Sequence, residues 1–215
     1  MDLILKPSNA FTLDGESPFK EFSRDSVVSL LHRCRTCPLV RPTPFLPKGP
    51  LSADTVIVGP NPNPSEETLY GQVYDSILEY MGFRTEDTYR TYSIHCPTPG
   101  NRLPSVGEIG SCSTWKTWEL DQLPNSRFFF LMGAGAVSQF MGFSPATMEK
   151  LFWEVHGVHL LDREIHLLPC YSPRTILQRD DLRPALIDWC RKVGDFIRVQ
   201  RIRNQRNPDV LRPSA

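Results

Sequence analysis

Six cysteines stand in this chain of 215 residues, at positions 34, 37, 96, 112, 170 and 190. The N-terminal stretch MDLILKPSNAF lacks the basic start and long apolar run of a secretory leader, so thiols at this density point to metal binding or redox chemistry rather than to a disulfide framework. Cys34 and Cys37 form a CxxC pair, a spacing that lets two thiolates from one turn reach a single metal centre. Cys96 lies in HCPTPGNR and Cys112 follows sixteen positions later in EIGSCSTW. Cys170 and Cys190 read as core thiols, one on a strand and one on a helix.

The elements that must position these residues are legible in the apolar pattern. Asp25-Ser26 followed by Val27, Val28, Leu30 and Leu31 reads as a capped amphipathic helix that delivers the CxxC pair at its C-terminal end. Four short apolar or β-branched segments read as buried strands, at 55–58, 89–94, 128–131 and 165–168. Helical spacing recurs over 71–81, 106–120, 134–140 and 182–196. This alternation predicts a three-layer α/β/α domain with a central, mostly parallel four-stranded sheet. In such sheets sites form beyond the carboxyl ends of the strands, which here carry Gly59-Pro60-Asn61, His95-Cys96, Gly133-Ala134-Gly135 and Tyr171-Ser172-Pro173.

Residues 1–23 are polar and turn-rich and read as a surface extension. The domain proper spans 24–196, and 197–215 forms a basic tail that continues the last helix and then frays. The tail carries Arg198, Arg201, Arg203, Arg206 and Arg212 against Asp209, either a solvated face or a source of phosphate contacts. The formal net charge is zero, so bulk electrostatics announce no nucleic-acid partner. With no run of eighteen apolar residues, the expectation is a soluble, intracellular protein without a membrane partner.

A strand ending in Cys96, the Pro-x-Pro-Gly-Asn-Arg stretch 97–102, Pro104 and then Glu108-Ile109-x-x-Cys112 resemble the iron-sulfur loop of the family 4 uracil-DNA glycosylases. TVIVGPNPNPSEE resembles that family's first motif, YGQVYDSILEYMGF its following helix, and FFFLMGAGAVSQFMGF its third strand and turn, so the likeness covers roughly residues 34–193. The resemblance implies a 4Fe-4S cluster held by Cys34, Cys37, Cys96 and Cys112. Zinc in the same site and four plain buried thiols are the alternatives.

A base-excising enzyme extrudes its nucleotide, reads the base edge, stacks the ring and stabilises the departing anion. At the family's motif positions this chain departs four times. Pro60 replaces the acid of the first motif and can neither act as a base nor orient water. The segment bearing the stacking Phe is missing after Glu67, leaving Tyr70 as a substitute ring or a packed tyrosine. Tyr92 takes the place of the Asn that reads uracil. Ser172 replaces the histidine of the last motif.

The implied base pocket is therefore Gly59, Asn61 and Tyr92, with Asn61, His95 and Ser172 as candidate catalytic groups. His95 reads either as a donor toward the pocket or as a side chain lying against the cluster loop. Arg174, Leu177 and Arg179 occupy the loop that in the family enters the minor groove, and read as a DNA wedge or as an ordinary helix-start loop. The function implied is a DNA-binding relative that has lost uracil excision and acts in DNA recognition or as a scaffold for a replication or repair protein. The alternatives are an active glycosylase for uracil or a modified pyrimidine with a rebuilt pocket, and a protein-interaction module that has abandoned DNA.

Overall fold

The structure is a computed structural model that describes residues 5–7, 23–39, 44–65, 67–142, 151–160 and 163–206. Its centre is one sheet of strands β1 (Leu5–Pro7), β2 (Thr55–Gly59), β3 (Thr88–Tyr92), β4 (Phe128–Met132), β5 (Val155–Leu160) and β6 (Arg163–Cys170). Their spatial order is β1-β5-β6-β4-β2-β3. All neighbours run parallel except β5 and β6.

The sheet thus has six strands where the apolar pattern predicts four. β5 (VHGVHL) is interrupted by two histidines and a glycine, so no apolar run marks it, although Val155, His156 and Val158 are buried. β1 is three residues long, too short for any period to register, and lies within the stretch 1–23 read as irregular surface. Residues 8–22 of that stretch lie outside the described residues.

The central strands β2 and β4 are buried at every position, as parallel strands covered on both faces must be. Helices α3 (Val106–Asp121) and α4 (Gly133–Met141) cover one face. There Val56, Val58, Phe129 and Leu131 of the sheet meet Leu120, Val137 and Phe140. Helices α2 (Glu67–Met81) and α6 (Arg183–Arg206) cover the other, where Ile57, Phe128 and Phe130 meet Val73, Ile77, Trp189 and Val193. The short helix α5 (Pro173–Gln178) follows β6.

Helix α1 (Arg24–His32) stands apart from both layers. Its N-cap is Ser23, whose hydroxyl accepts the Ser26 N–H at 3.3 Å, two residues before the sequence signal that begins at Asp25. Val27 and Leu31 pack with Ile94, Trp115 and Trp118 into a third, smaller core around the first four cysteines.

The last helix runs unbroken through residue 206, and Ile197 is buried in the α2–α6 core. Arg198 donates to the Met81 carbonyl at 2.8 Å, and Arg201 makes a two-pronged bond to Asp54 at 2.6 Å while its guanidinium lies 4.5 Å from the centre of the Phe83 ring. These two arginines fasten the helix to the sheet, which removes them from the solvated, phosphate-ready set suggested by the sequence. Arg212 and Asp209 lie outside the described residues. No helix among the described residues is long and apolar enough to cross a membrane.

Candidate functional site

Three segments bring four cysteines into one corner. Cys34 and Cys37 follow the C-terminus of α1, where the Cys34 N–H still bonds to the Leu31 carbonyl at 3.1 Å. Cys96 sits in the loop after β3 and Cys112 in the second turn of α3, and all four sulfurs belong to the same small apolar core. All six cysteines are free thiols. Burial pushes the Cys96 thiol up to about 11, with the neighbouring thiols of Cys112, Cys37 and Cys34 adding to the shift.

Burial also raises Cys112, opposed by a backbone N–H of His95 and by the Lys116 ammonium, both of which favour its thiolate. Among the described residues, no three His, Cys, Asp or Glu side chains are arranged to hold a single metal ion. A donor set made only of thiols, in an apolar corner with thiolate-favouring neighbours, has the chemistry of a four-cysteine metal centre, either an iron-sulfur cluster or a zinc ion. Cys170 and Cys190 lie together in the α2–α6 core, away from this corner.

Behind Cys112 lies a buried charge network. Lys116 Nζ donates to Glu119 Oε2 at 2.5 Å and to Thr91 Oγ1 at 2.7 Å, with all three residues out of solvent. His95 Nδ1 lies 3.0 Å from the Phe45 carbonyl, and its Nε2 is 3.7 Å from Glu119 Oε2, too far for a hydrogen bond. Burial, followed by the Lys116 charge, holds the imidazole below its ordinary pKa and hence neutral. Burial alone would raise the Glu119 carboxyl, but the Lys116 charge and the hydrogen bond it makes outweigh it and keep the pKa low. His95 is therefore buried behind the cysteine corner and does not line the cleft described next. The reason is positional: the Phe45 segment pairs with the chain at His95 and captures its ring.

The cleft opens at the carboxyl ends of β2, β4 and β6 and has a volume of about 540 Å³. Pro60, Asn61, Gly133, Ala134 and Ser172 form its floor; Tyr70, Phe152 and Tyr171 bring aromatic rings; Asn101, Leu103, Arg174, Thr175 and Arg179 stand around it. The rings of Phe152 and Tyr171 are 4.1 Å apart at their centroids. Gly133 turns the chain from β4 into α4 at φ 81°, and a Cβ there would come within 2.8 Å of the Ser172 Cβ, so this turn needs glycine for both conformation and space. Ser172 caps α5 by accepting the Thr175 N–H at 3.1 Å.

Asn61 is buried, and its amide donates to Thr98 Oγ1 at 3.0 Å and Asn101 Oδ1 at 3.1 Å. Its two donors thus hold the 97–102 loop against the end of β2. Tyr92 does not join it. Its ring packs edge-on to Phe45 at 6.2 Å and lines a neighbouring cavity of about 340 Å³ with Tyr74 and Arg90. Gly59 is likewise withdrawn: a Cβ there would meet the Tyr74 hydroxyl at 2.7 Å and the Tyr92 ring at 3.0 Å. Of the three implied pocket residues only Asn61 lines the cleft, because Gly59 is packed under Tyr74 and Tyr92, and Tyr92 turns toward Phe45 and the neighbouring cavity.

The wedge residues are also divided. Arg174 and Arg179 stand at the cleft, with Arg179 forked onto Asp181 at 2.7 and 2.8 Å. Leu177 points to the far side of α5, into a separate groove of about 280 Å³ shared with Leu69 and Tyr80. Sequence reasoning placed Tyr171 in a site-forming loop but missed Phe152, Asn101, Leu103 and Thr175 as cleft residues. Asn101 and Leu103 had a signal in their closeness to the Pro-Gly-Asn-Arg stretch, whereas Phe152 belongs to no periodic segment.

A mostly parallel sheet between helices, with a cleft beyond the carboxyl ends of its strands and a cysteine corner on the loop that lines it, defines an α/β protein whose cleft lies where such sheets bind ligands. The family model described as the uracil DNA glycosylase superfamily matches residues 46–191, and this chain belongs to that superfamily. It is similar to the type-4 uracil-DNA glycosylase of Archaeoglobus fulgidus, at 24% identity over 81% of this chain and 93% of the relative. It is also similar to the type-4 enzymes of Saccharolobus solfataricus, at 22% identity over 80% of this chain and 86% of the relative, and of Sulfurisphaera tokodaii, at 22% over 76% and 80%.

Proposed function

We propose that this chain is an iron-sulfur DNA-binding protein that receives an extruded base in its cleft without excising uracil, acting in DNA recognition or as a scaffold for a replication or repair protein. The observation that carries this reading is the lining of the cleft: among its described residues there is no Asp, Glu or His. Glycosidic cleavage asks for a group that orients water or answers the developing negative charge, and neither an activating carboxylate nor an imidazole stands there. What remains suits binding, since aromatic rings receive a base and the exposed Arg174 receives phosphate.

Cys34, Cys37, Cys96 and Cys112 would hold a 4Fe-4S cluster, whose bonds would tie the end of α1, the loop after β3 and α3 into one rigid corner. The type-4 names of the relatives and the all-thiol character of the corner support this assignment.

A second reading is an active glycosylase for uracil or a modified pyrimidine, favoured by the Arg174 guanidinium beside the Ser172 hydroxyl on a cleft large enough for a pyrimidine. One experiment separates the two. Anaerobically purified protein is incubated with duplexes holding uracil or modified pyrimidines, abasic sites are scored, and binding is measured across a salt series. Salt-dependent binding without abasic sites is expected. Cleavage of any of these bases would establish the second reading, and absence of both binding and cleavage would overturn both.

A further inference from the structure

We propose that Leu103, on the loop between Cys96 and Cys112, is the side chain that enters the base stack when this protein engages a duplex. This inference rests on the DNA-binding reading above and assigns the wedge to a different loop from the one after β6. Leu103 lines the cleft yet remains 56% exposed, an apolar side chain held in water at the mouth of a site walled by aromatic rings. Val106, 83% exposed, stands one helical cap away and extends the same apolar tip.

A wedge must be stiff, or the order it loses on insertion cancels what stacking returns. The loop carrying Leu103 is fixed on both sides. Before it, Asn101 holds a left-handed conformation at φ 53° and receives the Asn61 amide, while the Thr98 hydroxyl donates to the Arg102 carbonyl at 2.5 Å. After it, Pro104 is buried near Gly135, and Ser105 begins α3 with a reciprocal capping box. The Arg102 guanidinium forks onto the Glu108 carboxylate at 2.5 and 2.8 Å, closing the base of the loop. Arg174 lines the same cleft, placed to hold a phosphate while an apolar side chain parts the bases.

Leu177 lacks these features. It is 42% exposed, but it belongs to the groove with Leu69 and Tyr80, and no residue lines both that groove and the cleft.

The test uses the full chain and a duplex with a single G·U mismatch and 2-aminopurine beside the U, reading anisotropy for binding and 2-aminopurine fluorescence for unstacking. Wild type and Leu177→Ala are expected to bind and to raise the fluorescence about equally. Leu103→Ala is expected to bind within about threefold of wild type but to lose most of a roughly fivefold rise, and Leu103→Phe to restore it, as unstacking by an apolar wedge requires. Binding without a fluorescence rise in wild type would overturn the wedge and leave the DNA-binding reading intact. An unchanged rise in Leu103→Ala, or its loss in Leu177→Ala alone, would overturn the assignment of the wedge to Leu103. Failure of wild type to bind at low salt would overturn the DNA-binding reading and this inference with it.

Discussion

Cys96 and Asn101 are five residues apart on one loop, yet they belong to surroundings of opposite chemistry. At Cys96 the chain enters an apolar corner where Trp115, Trp118, Val27 and Leu31 exclude water and where every buried charge has an opposite beside it. At Asn101 it reaches a wide, wet cleft whose described lining offers amides, hydroxyls and arginines but no carboxylate or imidazole. The corner contains the titratable groups and uses them to hold structure; the cleft contains the space for a ligand and none of the acid-base groups. Ionisable side chains in a member of an enzyme superfamily therefore need not mark where chemistry happens, since a buried pair or triad also arises wherever a polar backbone segment must be held under an apolar cover.

This contrast is open to measurement, beginning with the corner. Replacing Cys96 by Ser should abolish bound iron and lower Tm by about 10 °C or more, because a group that binds only the folded chain stabilises it by mass action. Metal analysis and thermal unfolding would check this, and a variant with unchanged Tm and no iron in the wild type would reduce the corner to four packed thiols.

Next in size is Lys116→Met, which leaves the Glu119 carboxylate buried without its cation and should cost about 3–5 kcal/mol in urea unfolding. The double variant Lys116→Met, Glu119→Leu should recover most of that loss. If the single variant is as stable as wild type, the network does not hold the corner.

Glu108 lies where the two regions meet. The Arg102 guanidinium, opposed by burial and aided by Ser105, holds its carboxyl at about 2, below the ordinary value of 4.5. A depressed folded pKa contributes stability that is complete above pH 4.5 and disappears as the pH falls toward about 2. The difference in urea midpoint between wild type and Glu108→Gln should therefore be full at pH 6 and shrink through this window, with a smaller size than the loss in Lys116→Met. A difference independent of pH would mean that the fork onto Arg102 contributes no charge-dependent stability.

The smallest effect belongs to the cleft. Ser172→Ala removes the cap of α5 and should cost about 1 kcal/mol in unfolding while leaving duplex affinity within about twofold. A loss of affinity beyond tenfold with unchanged stability would show that the hydroxyl contacts the ligand directly, contrary to a purely capping role.

Much of the scaffold was legible in the order of residues. The all-apolar runs of β2 and β4 announced central parallel strands, and the three- and four-residue spacing of α2, α3 and α6 announced covering helices, because burial on both faces or on one stripe leaves a periodic mark. β5 escaped because a histidine, His156, takes a buried position in it, and β1 because pairing with β5 joins residues some 150 positions apart. In the cleft, Asn61 and Ser172 were found from motif positions, whereas Phe152 arrived from a segment with no pattern of its own.

The sequence by itself determined the superfamily, the alternation of strand and helix, and which four cysteines could act together, since these follow from spacing and from the types of residue at motif positions. Only the tertiary structure decided that His95 turns inward, that Tyr92 leaves the cleft, and that Leu103 rather than Leu177 stands at its mouth. Spacing fixes where a residue lies along an element, but the direction of a side chain at a strand end or in a loop depends on which neighbour captures it. Here the Phe45 carbonyl, the Phe45 ring and the fork between Arg102 and Glu108 made those choices.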